Sequence, residues 1–276
     1  MNSENNNFVK ELDKKFKKEC KKGRLKPELR AEFIFFGLLQ KGEQYSEFLD
    51  ANVDDVDLAK IIICMIGSKN PLYKEIINAY RDKIDFAAIV FELIKHSMPY
   101  KAFIKEYKHD LNFNSVLIKL ANVDVDYHNF IREYKKKINI SSVVFNLAKN
   151  KKSFKHLVKD FKKEVKFDSI IIELVKNKFP FKKFIKKYKE EIDFDCIVIN
   201  LIDSFFDYKD FIELYNKDID FENVLLSLID YDTPYKDFVD EYKNEIDFNV
   251  IVDEIKDNDV EQREKFYTEY ESEIHM

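Results

Sequence analysis

The feature that most constrains the fold of this chain is a pattern that recurs every 27 residues. One position of the repeat is marked by a phenylalanine in six of seven cases: Phe86, Phe113, Ile140, Phe167, Phe194, Phe221 and Phe248. An aromatic residue marks a second position at the same spacing: Tyr100, Tyr127, Phe154, Phe181, Tyr208 and Tyr235. Such a period is typical of a solenoid, in which each unit buries its apolar face by stacking on its neighbours.

Each unit opens with the pattern of an amphipathic helix. Tyr100 is followed by Phe103, Ile104, Tyr107 and Leu111, and this spacing places all five on one face of an α-helix. The residue before the opening aromatic is Pro, Asp or Ser, which favours the start of a helix. These residues are Pro99, Asp126, Ser153, Pro180, Asp207 and Pro234.

The second half of each unit predicts a shorter and more apolar helix. In one unit this helix begins at Phe194, and Asp193 is placed to cap it. Only one or two residues then remain for the link between the two helices, which predicts an antiparallel hairpin.

These patterns predict an all-α fold, an α-solenoid of about eight to nine tandem 27-residue two-helix repeats with capping helices. Residues 1–30 are predicted to form an N-terminal helix and a connection that cap the array, and residues 31–276 to form the repeat domain. Near the other end, Asp253, Lys256 and Arg263 replace apolar residues of earlier units, as expected of a capping repeat.

The plan resembles that of helical-hairpin arrays such as the tetratricopeptide and HEAT proteins. The 27-residue unit is shorter than theirs, and the tetratricopeptide signature is absent. The resemblance is therefore one of plan, and it carries no functional residues to this chain.

Composition excludes several classes of protein. All four glycines lie before residue 68, so no glycine-built phosphate loop follows that point. Three widely spaced cysteines argue against a disulfide framework and favour a reducing compartment. The chain has neither a signal-peptide pattern nor an apolar run of about 18 residues. We therefore expect a cytoplasmic protein without membrane insertion.

The sequence suggests no reaction. None of the five histidines has the spacing of a metal site, and no cysteine or serine is paired with a histidine by spacing. We therefore expect no enzyme, no cofactor and no metal. Aromatic residues can stack on single-stranded bases, but the ladder in the first helices is typical of core packing. Its members are Tyr80, Tyr107, Tyr134, Phe161, Tyr188, Tyr215 and Tyr242.

Charge is unevenly distributed along the chain. Residues 99–192 contain 23 Lys/Arg and 11 Asp/Glu, a net charge of +12, whereas residues 193–276 contain 7 and 25, a net charge of −18. In four consecutive units, the positions 1, 5 and 8 residues after the opening aromatic predict one basic face. This basic ladder consists of Lys101, Lys105, Lys108, Arg132, Lys135, Lys155, Lys159, Lys162, Lys182, Lys186 and Lys189.

The ladder has two interpretations. It is either an anion-binding surface or a solvated face whose lysine content reflects the base composition of the genome. A second predicted surface is the polar edge of the second helices, a mixed groove suited to a peptide or protein. Its candidate residues are Lys119, Asn122, Asn146, Lys149, Lys176 and Asn200.

The leading hypothesis is a non-enzymatic scaffold or adaptor that binds a protein partner through an extended solenoid surface. The alternative is an RNA- or ribosome-associated protein that binds a polyanion through the basic ladder. The opposite charges of the two halves would also allow head-to-tail self-association of the chain.

Overall fold

The computed structural model describes residues 3–42, 45–123, 125–255 and 260–274. Within these ranges the regular secondary structure is helical, which confirms the predicted all-α repeat fold. The chain forms two compact units, residues 1–127 (unit 1) and 128–276 (unit 2), and each is described by itself. The predicted boundary at residue 30 stays a prediction.

Unit 1 begins with α1 and α2, which pack against each other. The rings of Phe16 and Phe33 lie 5.5 Å apart in this contact. A Cβ on Gly37 would come within 2.6 Å of the Leu12 side chain, so glycine allows the close approach. The helices of unit 1 are α1 (Ser3–Lys21), α2 (Arg30–Lys41), α3 (Ser46–Asn52), α4 (Leu58–Gly67), α5 (Tyr73–Ala79), α6 (Phe86–Lys95), α7 (Lys101–Tyr107) and α8 (Phe113–Asn122).

Unit 2 continues the alternation of first and second helices. Asp253, near its C-terminal end, is exposed as predicted, whereas Lys256 and the side chain of Arg263 lie outside the described residues. The helices of unit 2 are α9 (His128–Tyr134), α10 (Ile140–Lys149), α11 (Lys155–Asp160), α12 (Phe167–Lys176), α13 (Lys182–Tyr188), α14 (Phe194–Asp203), α15 (Lys209–Tyr215), α16 (Phe221–Asp230), α17 (Lys236–Tyr242), α18 (Phe248–Ile255), α19 (Val260–Glu269) and α20 (Glu271–Ile274).

The phenylalanine mark is the first residue of a second helix, as predicted. In α14 the Asp193 carboxylate accepts a hydrogen bond from the Cys196 N–H at 2.9 Å, which confirms the predicted cap. The same bond is made by Asp57, Asp85, Asn112, Asn139 and Asp220.

Two details of the predicted hairpin were wrong. The second helix is the longer one, since α14 has 10 residues and α13 has 7. The link between them has five residues, because a three-residue 3-10 turn, the extended Ile192 and the cap Asp193 separate the two helices. In the next unit that extended residue is Ile219, whose buried side chain completes the stripe outside the α-helix.

The first helices begin one residue later than predicted. The opening aromatic, for example Tyr208, occupies the N-cap position and makes no capping bond through its side chain. The preceding Asp207 still assists the helix start, because its carboxylate accepts a hydrogen bond from the Lys209 N–H at 3.1 Å.

The core of unit 2 lies between successive second helices and the first helices that cover them. Each of α10, α12, α14 and α16 packs on the second helix that follows it. The Phe194 ring lies 6.2 Å from the Phe211 ring and 5.4 Å from the Tyr215 ring. Such contacts pack Tyr188, Tyr215 and Tyr242 of the aromatic ladder against core rings, although these three side chains are half-buried. Each ring pair contributes about 0.5–1.5 kcal/mol beyond area burial.

Most second helices end in a left-handed residue that is not glycine. At the end of α12, Lys178 has φ 56°, its N–H donates to the Val175 carbonyl at 2.9 Å, and the Phe179 N–H donates to the Leu174 carbonyl at 2.8 Å. This is a Schellman motif, which usually contains glycine. The left-handed non-glycine residues are Lys69, Ser97, Lys151, Lys178, Phe205 and Asp232.

No helix within the described ranges is both long enough and apolar enough to cross a membrane.

Candidate partner-binding surfaces

All eleven cations of the basic ladder are exposed. Lys101, Lys105 and Lys108 belong to unit 1, and the other eight belong to unit 2. Of these eight, Lys135, Lys162 and Lys189 form ion pairs with the next repeat. Arg132 Nη2 donates a hydrogen bond to Asn129 Oδ1 at 2.9 Å. Within the described residues the other four, Lys155, Lys159, Lys182 and Lys186, form no ion pair.

The last cation of each trio in unit 2 is held in an ion pair with the next repeat. Lys135 Nζ lies 2.5 Å from Glu164 Oε1, and its hydrogen bond lowers the pKa of the Glu164 carboxyl. Lys162 pairs with Glu191, and Lys189 Nζ lies 2.7 Å from Asp218 Oδ1. Since exposed pairs are worth about 0–1 kcal/mol, these three lysines link repeats weakly, and part of their charge is already neutralised.

The residue after each opening aromatic also tends to pair with the following repeat. Lys74 Nζ lies 2.7 Å from Glu106 Oε1. His128 Nε2 lies 3.1 Å from Asp160 Oδ2, and Lys209 pairs with Glu241. In each case the acid stands six residues after the opening aromatic of the next unit.

This pairing fails at two consecutive units. The position that would hold the acid for Lys155 is occupied by Lys187, and the one for Lys182 is occupied by Leu214. Within the described residues, neither Lys155 nor Lys182 has an ion-pair partner. The missing acids leave a concentrated positive charge on α11 and α13.

Helix α13 carries the largest share of that charge. Its four exposed positions are all lysines, at 182, 183, 186 and 187. Like charges at i and i+4 disfavour a helix, so this arrangement costs stability. Lys187 Nζ lies 5.4 Å from the centre of the Phe154 ring and 5.1 Å from that of Tyr188. We define the lysine face as Lys155, Lys159, Lys182, Lys183, Lys186 and Lys187.

The equivalent surface two repeats further on is acidic. A cleft of about 570 Å³ between α15 and α17 is lined by Asp207, Asp237, Asp240 and Glu241, which we define as the acidic cleft. Lys209 also lines it and pairs with Glu241. Phe206 contributes an apolar wall. Its neighbour Phe205 is 84% exposed, the most exposed of the large apolar side chains described.

Five of the six predicted groove residues make local contacts. Two of them, Lys119 and Asn122, belong to unit 1 and line one cleft of the second helices, where Lys119 Nζ lies 3.0 Å from Asp85 Oδ2. In unit 2, Lys176 Nζ donates to Ser204 Oγ at 2.9 Å. Lys149 Nζ lies 4.7 Å from the centre of the Phe179 ring.

Two asparagines of the groove bind their own helices. Asn146 Nδ2 donates to the Ser142 carbonyl, and Asn200 Nδ2 donates to the Cys196 carbonyl, both at 2.8 Å. Asn146 lies with the half-buried Phe145 in a cleft of about 710 Å³. Asn200 lies with Ile199 in another, of about 590 Å³. Unit 2 thus repeats one arrangement, an apolar side chain beside a fixed amide.

Histidine, cysteine and acidic side chains are the groups that could hold a metal ion or form a covalent bond with a substrate. Within the described ranges no three His, Cys, Asp or Glu side chains are grouped so that they could hold a metal ion. Burial raises the pKa of the Cys196 thiol, and nearby carboxylates add to the effect, so this cysteine is not an activated nucleophile. His275 lies outside the described residues.

Besides the ion pairs, a hydrogen bond between a side chain and the main chain joins successive repeats of unit 2, and it was not predicted from the sequence. The residue after the phenylalanine mark accepts a hydrogen bond from the capping residue of the next second helix. The Asp195 carboxylate accepts from the Asp220 N–H at 2.9 Å. The same bond joins Ser141 to Lys166, Asp168 to Asp193 and Glu222 to Asp247. The sequence does contain a sign of this bond, because a polar residue follows the phenylalanine mark in each of these repeats.

Comparison of the chain with known protein families, with curated protein sequences and with solved structures gave no match.

Proposed function

We propose that this chain is a non-enzymatic scaffold that binds a protein partner through the groove on the second helices of unit 2. The observation that carries the proposal is the recurrence of one arrangement, Phe145 beside Asn146 and Ile199 beside Asn200, in two clefts of that groove. Half-buried apolar side chains supply affinity for a polypeptide, and fixed polar groups beside them supply orientation.

The asparagines suit the recognition of a peptide backbone. Because Asn146 and Asn200 each use Nδ2 within their own helix, each Oδ1 is left to accept a hydrogen bond from a partner N–H. An amide held in one position loses little entropy on binding, so more of the interaction energy appears as affinity.

The test is affinity capture of the full chain from cells that express it, with bound proteins quantified by mass spectrometry. The groove variant is Phe145→Glu with Ile199→Glu, and the control is Asn216→Glu with Asn244→Glu, which adds the same charge at exposed residues of two 3-10 turns. We expect the groove variant to lose specific partners that the control retains. Equal recovery of the same partners by both variants, with unchanged circular dichroism, would overturn the proposal.

A second candidate function is RNA or ribosome binding, and one specific observation favours it. The six amines of the lysine face lie on two successive first helices, and those on α13 are accompanied by no exposed carboxylate of that helix. If all six contact phosphates of a single strand, affinity should fall about 300-fold between about 50 and 200 mM salt.

Fluorescence anisotropy with a single-stranded oligoribonucleotide tests this candidate. Reversal to Glu of the four α13 lysines should abolish binding. Reversal of four exposed lysines in 3-10 turns, at positions 136, 137, 163 and 217, should weaken it much less. Equal effects of the two variants would contradict recognition by the lysine face.

A further inference from the structure

We propose that two copies of this chain pair about a two-fold axis through the first helices of unit 2, with the lysine face of each copy against the acidic cleft of the other. This goes beyond the proposed scaffold function, because it assigns a partner to a surface different from the groove.

The two charged surfaces occupy equivalent positions of the same repeat. Four positions of each first helix are exposed, namely 1, 2, 5 and 6 residues after the opening aromatic. On α13 these positions hold four lysines, a net charge of +4. On α17 they hold one lysine and three acids, a net charge of −2. Because α13 and α17 are the same element of two repeats in one unit, their charges are presented on the same side of that unit.

Both surfaces retain charges that no described residue neutralises. Within the described residues, Lys183 and Lys186 make no ion pair, and neither do Asp237 and Asp240. The repeats elsewhere show that nearby acids and cations do pair when the positions allow it, as Lys135 and Glu164 do. The unpaired charges on α13 and α17 are therefore available to a partner outside a single copy.

The helix between these surfaces is suited to lie at the axis. At its sixth position α15 carries Leu214, which is 44% exposed, where α11 has Asp160 and α17 has Glu241. A two-fold axis at α15 places α13 of one copy opposite α17 of the other, and it brings the two Leu214 side chains together. Such an arrangement has an apolar centre and a charged rim, which is common in protein interfaces.

A second copy matches this surface better than other occupants do. An acidic protein or an RNA would neutralise the lysines, but it would leave Asp237 and Asp240 unmatched and would be repelled by them. A two-fold interface requires a self-complementary surface. The order of α13, α15 and α17 meets this requirement. A two-fold rotation about an axis at α15 brings the lysines of α13 opposite the acids of α17 in the other copy, and the acids of α17 opposite the lysines of α13.

Sedimentation of the full, nuclease-treated chain tests the proposal. We expect a dimer at about 50 mM salt and a monomer at about 500 mM, because exposed charge pairs are screened at high ionic strength. The lysine-reversed variant is Lys183→Glu with Lys186→Glu, and the acid-reversed variant is Asp237→Lys with Asp240→Lys. Each variant alone should be monomeric at low salt, because opposed charges are lost: the lysine reversal changes the net charge of the four exposed α13 positions from +4 to 0, and the acid reversal changes that of α17 from −2 to +2.

Two further samples separate charge complementarity from loss of folding. An equimolar mixture of the two variants should form a heterodimer, and a chain that carries all four substitutions should dimerise again. The control, Lys136→Glu with Lys163→Glu, should stay dimeric, as should the groove variant of the scaffold test, so the two proposals can fail separately.

Three results would overturn the inference. The first is a wild-type chain that stays monomeric at low salt at a concentration of about 100 μM. This result stands against the inference even if the lysine reversal is found to abolish RNA binding. The second is a dimer that neither reversal affects. The third is growth beyond two copies with concentration, which would indicate head-to-tail assembly in place of a two-fold pair.

Discussion

The left-handed residue at the end of most second helices allows a quantitative prediction about stability. Lys178 adopts φ 56° in the Schellman motif that ends α12. An L-residue in this conformation is strained by about 1–2 kcal/mol, whereas glycine adopts it freely but loses about 0.5–1 kcal/mol more chain entropy on folding. We therefore expect Lys178→Gly to be more stable than Lys178→Ala by about 0.5–1 kcal/mol.

The comparison with alanine isolates the backbone effect, because both variants lose the lysine side chain. A matched pair inside α12, Glu173→Gly and Glu173→Ala, should show the opposite sign, with glycine less stable by about 1 kcal/mol. Combining glycine at Lys151, Lys178 and Phe205, which lie one repeat apart, should stabilise unit 2 by about 2 kcal/mol in total.

Urea titration followed by far-ultraviolet circular dichroism measures these differences as shifts of the midpoint. Repeat proteins need not unfold in two states. The midpoints are therefore compared only between variants whose unfolding free energy has the same dependence on urea concentration. A Lys178→Gly protein no more stable than Lys178→Ala would refute the reasoning. A glycine–alanine difference of the same sign at both positions would do so too.

Two further predictions concern the joints between repeats and the alkaline limit of stability. Asp195→Ala should lower the free energy of unfolding by about 1–2 kcal/mol, because it removes acceptors for the Asp220 N–H and for Asn223 Nδ2. Asp210→Ala, at an exposed position, should change it by less than about 0.5 kcal/mol in the same urea assay. Burial raises the pKa of Tyr242 from 10.0 to about 12. The stabilisation of the folded state that goes with this raised pKa is therefore fully present below pH 10 and is lost as the pH rises towards 12. The Tyr242→Phe protein should therefore lose less stability over that range, and an unchanged pH profile would contradict this.

The repeat and its core could be predicted from the sequence because the marks that define them are local and recur. Phe194 and its equivalents show both the period and the start of each second helix, and Asp193 shows the cap. Within each helix the buried apolar positions follow from helical spacing, which places them on one face.

The links between the helices could not be predicted in the same way. The stripe that ends in Ile219 fits an uninterrupted helix, but the chain leaves the α-helix at Tyr215 and buries Ile219 from an extended backbone. Hydrophobic spacing does not distinguish these two routes to the same buried position.

The basic ladder shows what a sequence cannot reveal about charge. Lys162 and Lys186 read alike in the sequence, yet Lys162 is paired with Glu191 in the next repeat and Lys186 has no such partner in the described part of the chain. Pairing between repeats depends on which faces are adjacent in space, and that information comes only from the structure. The lysine face is consequently smaller than the ladder, and it includes Lys183 and Lys187, which the ladder omits.

The bond from Asp195 to the next second helix has a consequence for how such a chain can change in length. Each joint is made by one side chain of the earlier repeat and one main-chain amide of the later repeat. Since any non-proline residue supplies that amide, removal of residues 182–208 would leave Asp168 facing the Asp220 N–H and would restore an equivalent joint. Loss or duplication of a whole 27-residue block therefore leaves the joints intact, whereas a change of any other length puts every later joint out of register.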